Sequence, residues 1–390
     1  MITVEEALRD LFALVTPLPS EEVPLRAAAH RVLARDVTAR RDQPPFAASA
    51  MDGYAIHAAD HHQGATLTVI GESAAGHGWH GTLAQGQALR IFTGAPVPDG
   101  AAHVVIQENV ARDGDRITIT DAQDSGSNIR PKGGDFAQGT AITAPHRLTP
   151  TDIALLAAMN IARVPVTRKP VVAIIATGDE LVQPGDSPGP DQIIASNSYG
   201  LAALVEAEGA IARLLPIARD TVASLEQTFA LAQGADLIIT IGGASVGDHD
   251  LVGHVAQSLG MQRSFYKVAM RPGKPLMAGR IGTAAMIGLP GNPVSAMVCG
   301  HVFLLPVIRK MLGLGAHPAP LQTATLAHDI GANGPRAHYM RANLSAARVT
   351  IFDRQDSSLL TVLAQANSLA LRPPHDPARS AGESVQVLSL

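Results

Sequence analysis

The chain has 390 residues, room for two to four domains at roughly 150 residues each, and 46% of them are apolar, which supports several cores and excludes disorder as the default state. Thirty basic against 34 acidic residues supply no net pull on a phosphate backbone, and 3% aromatic content is too little for a base-stacking platform, so no nucleic acid partner is expected. The single cysteine, Cys299, excludes an intrachain disulfide and a cysteine-based zinc cage; set in an apolar helical run, it reads as buried and inert.

The opening stretch MITVEEALRD carries acids where a secretory signal carries bases. No apolar run reaches the ~18 residues of a membrane helix, so a cytoplasmic location with no membrane partner is expected. Val4, Ala7, Leu8, Leu11, Phe12 and Val15 recur at helical spacing, with Thr3 and Glu6 placed as a capping box. Between 40 and 137 the runs ATLTVIG, QALRIF, AHVVIQENV and RITIT, separated by Gly, Pro and Asp clusters, read as a small β-rich domain. LTPTDIALLAAMNIARVPV returns to a helical pattern capped by Thr149 or Thr151, so the β module interrupts one helical domain made of 1–39 and 138–168. From 169 to 316 the apolar runs VVAIIAT, ARLLPIA, ADLIITI and TAAMIGL alternate with the helical patterns NSYGLAALVEAEGA, TVASLEQTFALAQG and LVGHVAQSLG. That alternation predicts an α/β domain around a largely parallel sheet buried on both faces. RVTIFD and SVQVLSL, in 317–390, predict a final small β domain.

Ligands of open α/β sheets bind beyond the carboxyl ends of the strands. Here those ends carry TGDE, Arg219-Asp220, GGASVGDHD, RPGKP and PGNP. Gly242 and Gly243 allow close backbone approach, and Ser245 adds a hydroxyl near exposed amides. Asp179, Glu180, Asp220, Asp248 and Asp250 supply hard oxygens, which suit Mg²⁺ bridging a phosphate. Arg271 and Lys274 flank Pro272-Gly273 on a stiff turn that can grip an anion. In PGNP, Asn292 reads as an N-cap and Pro293 as the first helical residue, so Pro290 and Pro293 bracket a helix start whose amides can face an anion. Taken singly, each loop is explained as well by structure: a Gly-Gly turn, a helix-capping acid, a tidy junction. The functional reading rests on five of them converging. His61, His62, His77 and His80 lack helical metal spacing and read as solvated loop residues, and Met51, Met159 and Met270 as core fillers.

SAMDGYA, FTGAPVPDGA, ATGDEL, GGASVGDHD, KVAMRPGKP and GLPGNPVSA, in this order over nearly the whole chain, closely resemble the MoeA family of molybdopterin molybdenumtransferases, to which gephyrin and plant molybdenum-insertase domains are related. The resemblance implies a homodimer built from a discontinuous helical domain, an inserted β domain, an α/β three-layer molybdopterin-binding domain and a C-terminal β-barrel-like domain. It also implies insertion of molybdate into adenylated molybdopterin, with Mg²⁺-dependent release of AMP. Carried over by position, Asp179, Glu180, Asp220 and Asp250 resemble the acidic pterin and magnesium positions, and Asp52, Thr93 and Asp135 the functional positions of the inserted domain. Lys267, Arg271, Lys274 and Pro275 resemble phosphate or molybdate positions, joined by Arg336 and Ser357, and Pro290 and Pro293 match the family's proline pair. Ala244 stands where a larger residue is often seen, and Arg271 where some relatives have Lys. The implied partners are the pterin adenylyltransferase and acceptor molybdoenzymes. Adenylyltransferase activity, a non-catalytic pterin-binding scaffold and a tungstate-preferring paralogue are the alternatives.

Overall fold

The computed structural model describes residues 1–123, 126–242 and 251–390; Gly243, Ser245, Asp248 and Asp250 lie outside the described residues. The chain forms two compact units, Met1–Glu21 with Thr167–Leu390, and Glu22–Val166. The first opens with α1 (Val4–Ala13), where Glu6 N donates to Thr3 Oγ1 at 3.1 Å and Thr3 N donates to the Glu6 carboxylate at 2.7 Å. Both halves of the expected capping box are therefore made, and Ala7, Leu8, Leu11 and Phe12 form the buried stripe.

In the unit Glu22–Val166 the helix α2 (Pro150–Ala158) starts at Thr149 rather than Thr151. Asp152 N donates to Thr149 Oγ1 at 3.2 Å and Thr149 N to Asp152 Oδ2 at 2.8 Å. The apolar runs of the β-rich segment pair into a six-stranded sheet in the order 103–106, 53–56, 87–91, 66–73, 116–119, 110–113. Both of its faces are apolar: Tyr54, Ile56, Val105 and Ile117 fill one cluster, Ala55, Leu89, Ile91 and Val104 the other. Gly53, inside the MDGYA motif, runs so close to its neighbour that a Cβ there would sit 1.9 Å from the Val105 carbonyl oxygen. Met51 is 42% exposed, which corrects its reading as a core filler, whereas Met159 and Met270 are buried. His61 is not a free loop residue, since its ring stacks on His103 with centroids 4.1 Å apart.

The first unit continues with β1 (Val171–Ala176), α3 (Asn197–Ala207), β2 (Ile211–Leu214), α4 (Val222–Leu231), β3 (Leu237–Ile241), α5 (Leu251–Ser258), β4 (Gln262–Tyr266), β5 (Met270–Arg271), β6 (Met277–Ile281) and β7 (Ala284–Leu289). The sheet order is β2-β1-β3-β7-β6-β4; the first four strands are parallel, β6 pairs antiparallel with β7, and β4 pairs antiparallel with β6. Chain direction reverses at β1, because β2 lies on one side of it and β3 on the other, and this opens a switch-point crevice between the ends of β1 and β3. Leu225, Phe229, Val252 and Val255 from α4 and α5 pack on Ile175, Ile238 and Met286 of one face. The other face is covered by α3 and by α6 (Pro293–Cys299), which runs through a π turn at Gly300–Leu304 into α7 (Leu305–Met311).

That continuous segment, Pro293–Met311, has 19 residues with mean hydropathy 1.4, long and apolar enough to cross a membrane, which corrects the expectation that no run reaches that length. It is 78% buried inside the unit, the state of a core helix. Cys299 lies fully buried on it, and burial pushes its thiol up. Beyond it, β8 (Leu321–Leu326), β9 (Ala337–Ser345), β10 (Arg348–Ile351), α8 (Leu360–Gln365), β11 (Ser368–Arg372) and β12 (Ser384–Ser389) pair in the order β9-β10-β8-β12-β11. A further β9–β11 pairing closes the barrel, and β5 adds to β9 from outside.

Candidate active site

The ends of β1, β3 and β7 meet around a cleft of about 950 Å³. Thr177 N donates to the Ile241 carbonyl at 3.0 Å and Gly242 N to the Leu289 carbonyl at 3.1 Å, which stitches the three ends together. Gly242 has φ +90°, and a Cβ there would meet the Thr177 carbonyl at 2.8 Å; its Cα in turn lies 3.5 Å from where a Cβ on Gly291 would be. Only glycine permits this approach of three strand ends. The walls include Gly242, Glu180, Asp220, Pro275, Pro290 and Pro293, six of the residues singled out from the sequence.

Glu180 and Asp220 stand at the polar wall, with Asp179 beside them outside the lining. Asp220 N donates to Asp179 Oδ1 at 3.3 Å, and Arg219 Nη1 to the Asp179 carbonyl at 2.9 Å, so the β1 and β2 loops are tied together. The Asp220 side chain opens to the cleft, yet desolvation by the cleft walls, then the negative charges of Asp179 and Glu180, hold its carboxyl above the usual range. Burial first, and then gathered like charges, disfavour the ionised form. Among the described residues, no three acids, histidines or cysteines stand as a ready-made metal cage.

The helix start at PGNP differs from its sequence reading. Asn292 occupies the N-cap position, but its side chain makes no capping bond; Nδ2 donates to Ser357 Oγ at 3.2 Å. Val294 N, one of the amides expected to face an anion, donates to the Ser357 carbonyl at 3.1 Å. The helix start is thus partly used to seat the 354–358 turn of the barrel. Pro290 is buried, and Asn197 Nδ2 donates to the Gly291 carbonyl at 2.7 Å, fixing the corner from α3.

The cations lie outside this lining. Lys267 has φ +77°, and its Nζ sits 5.1 Å from the centre of the Tyr266 ring. Arg271 and Lys274 are exposed on either side of the buried Pro272-Gly273. Arg336 Nη1 donates to the Met270 carbonyl at 3.4 Å, and His338 is paired in register with Arg271. Burial first, then Arg271, Arg341, Arg336 and Arg372, push the His338 imidazole down to about 4. The sequence reading missed His338 and Arg341, because in AHYMRANL they look like alternating strand residues; it missed Asn197 because NSYGL reads simply as a helix start.

Asp52, Thr93 and Asp135 belong to the unit Glu22–Val166. Asp52 Oδ1 accepts from both Thr93 N and Thr93 Oγ1 at 2.7 Å, and these bonds pull its carboxyl below the usual range. Asp135 lines a separate cavity of about 540 Å³ with Arg41, Gln43, Phe46 and Arg130.

The fold and cleft define a multidomain α/β protein with a polar strand-end site and a closed barrel. Three family models match it in succession: the MoeA N-terminal region (domain I and II) over residues 2–160, a probable molybdopterin binding domain over 173–310, and the MoeA C-terminal region (domain IV) over 323–390. The chain is 38% identical to a protein of Nostoc sp. named molybdopterin molybdenumtransferase, covering 100% of this chain and 94% of that one. A Haemophilus influenzae protein of the same name is 34% identical, over 99% of this chain and 98% of the relative. A crystal structure of the molybdopterin biosynthesis MoeA protein of Pyrococcus horikoshii superposes with TM-score 0.86 at 28% identity, covering 100% of both chains. The chain belongs to the MoeA family.

Proposed function

We propose that this chain is a molybdopterin molybdenumtransferase that inserts molybdate into adenylated molybdopterin and releases AMP in a Mg²⁺-dependent step. Family membership supports the transferase class. The observation that carries the mechanism is the clustering of mutually repelling carboxylates at the switch point of a cleft large enough for a nucleotide-sized ligand.

The donor set fits Mg²⁺. Hard carboxylate oxygens are present, desolvation and then the charges of Asp179 and Glu180 raise Asp220, and this ion needs only one or two carboxylates when waters and substrate phosphates complete its shell. Asp220 with Asp179 or Glu180 would hold it, with Asp250 as a further proposed ligand. Bound there, it supplies charge neutralisation for the pyrophosphate. The chain itself contributes the rest. Gly242, with Gly243 and Ser245, lets the backbone approach the ligand, while Pro290, Pro293 and Pro275 shape rigid walls. Lys267, Arg271, Lys274, Arg336 and Ser357 hold the oxyanion, and Asp52, Thr93 and Asp135 complete the site from the inserted β domain of a homodimer's other subunit. AMP leaves when water or a molybdate oxygen attacks phosphorus and the pyrophosphate bond opens, with fixed charges doing most of the stabilisation.

The four-domain division at 1–39 with 138–168, 40–137, 169–316 and 317–390, a cytoplasmic location, and transient contact with the pterin adenylyltransferase and acceptor molybdoenzymes belong to the same proposal. AMP release from adenylated molybdopterin with Mg²⁺, measured with and without molybdate, tests it. Molybdate-stimulated release with a metal-loaded pterin is expected; tight binding without release under either condition favours a scaffold.

A further inference from the structure

The barrel side of the first unit holds a buried guanidinium to which the assignments above give no role. Arg341 is 0% exposed. Its Nη2 donates to the Asp356 carbonyl at 3.0 Å and to the Arg354 carbonyl at 3.4 Å, while Nε and Nη1 have no partner among the described residues. Gln355 locks the same strand position, accepting from Arg341 N and donating to the Arg341 carbonyl, both at 3.0 Å. The turn so held presents Ser357, whose carbonyl and hydroxyl receive Val294 N and Asn292 Nδ2. Arg341 therefore sets where Ser357 sits against the start of α6.

Its charge is poorly matched. The Asp356 carboxylate is close enough to favour the cation, but it accepts from Ser358 N at 2.8 Å and Ser358 Oγ at 2.6 Å rather than from Arg341. Arg271 opposes it with like charge, and the unpartnered Nε2 of His338 lies in the same field. Buried charges are ordinarily paired and buried N–H groups bonded, so a buried guanidinium with two nitrogens unpartnered among the described residues, in a cationic neighbourhood, needs a functional account. Arg341 has no surface with which to touch a ligand. It can act only through the turn and through its field.

We propose that Arg341 is a positioning residue that makes this edge select doubly charged oxyanions: it fixes Ser357 at the helix start, and its charge, which no carboxylate bonds directly among the described residues, favours a dianion over a monoanion of the same shape. The inference rests on the oxyanion role of Arg271, Lys274, Arg336 and Ser357 proposed above. A fixed charge attracts a ligand in proportion to the ligand's charge, whereas a misplaced turn weakens both anions alike.

Calorimetric titration of the full chain with molybdate and with perrhenate, a tetrahedral monoanion of similar size, separates the two effects. Wild type is expected to prefer molybdate. Arg341→Met, an apolar replacement that a buried site can accommodate, should lower the molybdate-to-perrhenate preference about tenfold. Arg341→Lys, which keeps the charge but loses the two carbonyl bonds, should weaken both anions by a similar factor and keep the preference. An unchanged preference in Arg341→Met, or its loss in Arg341→Lys, overturns the inference. Wild type alone already decides one way: binding both anions equally overturns the selectivity whatever the variants do. Binding neither overturns the oxyanion reading itself.

Discussion

Two aspartates at family-matched positions behave oppositely, and the contrast shows which of them the fold itself satisfies. Asp52 sits in a turn that satisfies it: Thr93 donates twice at 2.7 Å, and its carboxyl is held low. Asp220 sits where partial loss of water, Asp179 and Glu180 all oppose its ionised form, and the bond its own backbone N–H donates at 3.3 Å favours the Asp179 carboxylate rather than its own. The first acid has found its partner inside the fold. The second is opposed by its surroundings, which is the state the proposed cation-binding role requires.

The largest effect that could break this comparison is on turnover. Asp220→Asn should keep the fold and slow AMP release by about 100-fold or more, in line with removal of one electrostatic stabiliser; full turnover in a steady-state assay would return Asp220 to the scaffold. Gly242→Ala comes next, because a Cβ at φ +90° meets the Thr177 carbonyl. A loss of about 1–3 kcal/mol in denaturant unfolding is expected, with a closed crevice and weakened substrate binding. A neutral outcome would mean the strand ends are not packed as tightly as their spacing indicates.

Legibility in the sequence followed the range of the physics involved. The Thr3 and Glu6 capping box, the four parallel strands and the buried Cys299 depend on local spacing and apolar runs, and all could be read in advance. The antiparallel additions β4 and β6 could not, since QRSFY and MAGRI carry no strong alternation of apolar residues. The neighbours of Asn292 are those of a helix start and predict a capping side chain; the barrel residue that captures it, Ser357, lies 65 positions away. The same holds for Arg341, whose burial arises only once the barrel closes and the 354–358 turn folds over it. Convergence of Glu180, Asp220, Gly242 and Pro290 on one edge was legible because strand ends of a parallel sheet share an edge by construction, whereas Pro275 reaches it from the loop before the antiparallel β6.

A smaller effect sharpens the contrast through pH. The low carboxyl of Asp52 contributes stability that is present above its unfolded value and lost as pH falls through its lowered folded value. Asp52→Asn should therefore be less stable than wild type at neutral pH, with the gap closing in acid. Asp220 has the opposite sign: its raised folded value favours the protein below the unfolded value, and that contribution is lost as pH rises through the folded one. Asp220→Asn should therefore melt slightly above wild type at neutral pH, and the gain should vanish in acid. Melting curves across pH that shift the same way for both variants would erase the distinction.

The most direct test of the central claim is a Mg²⁺ titration of thermal stability at neutral pH, run on wild type and Asp220→Asn side by side. The account predicts that the ion raises the midpoint of wild type, bringing it to or past that of the variant, and leaves Asp220→Asn nearly unmoved. Equal stabilisation of both proteins, or of neither, would contradict the assignment of the strand-end acids to a cation.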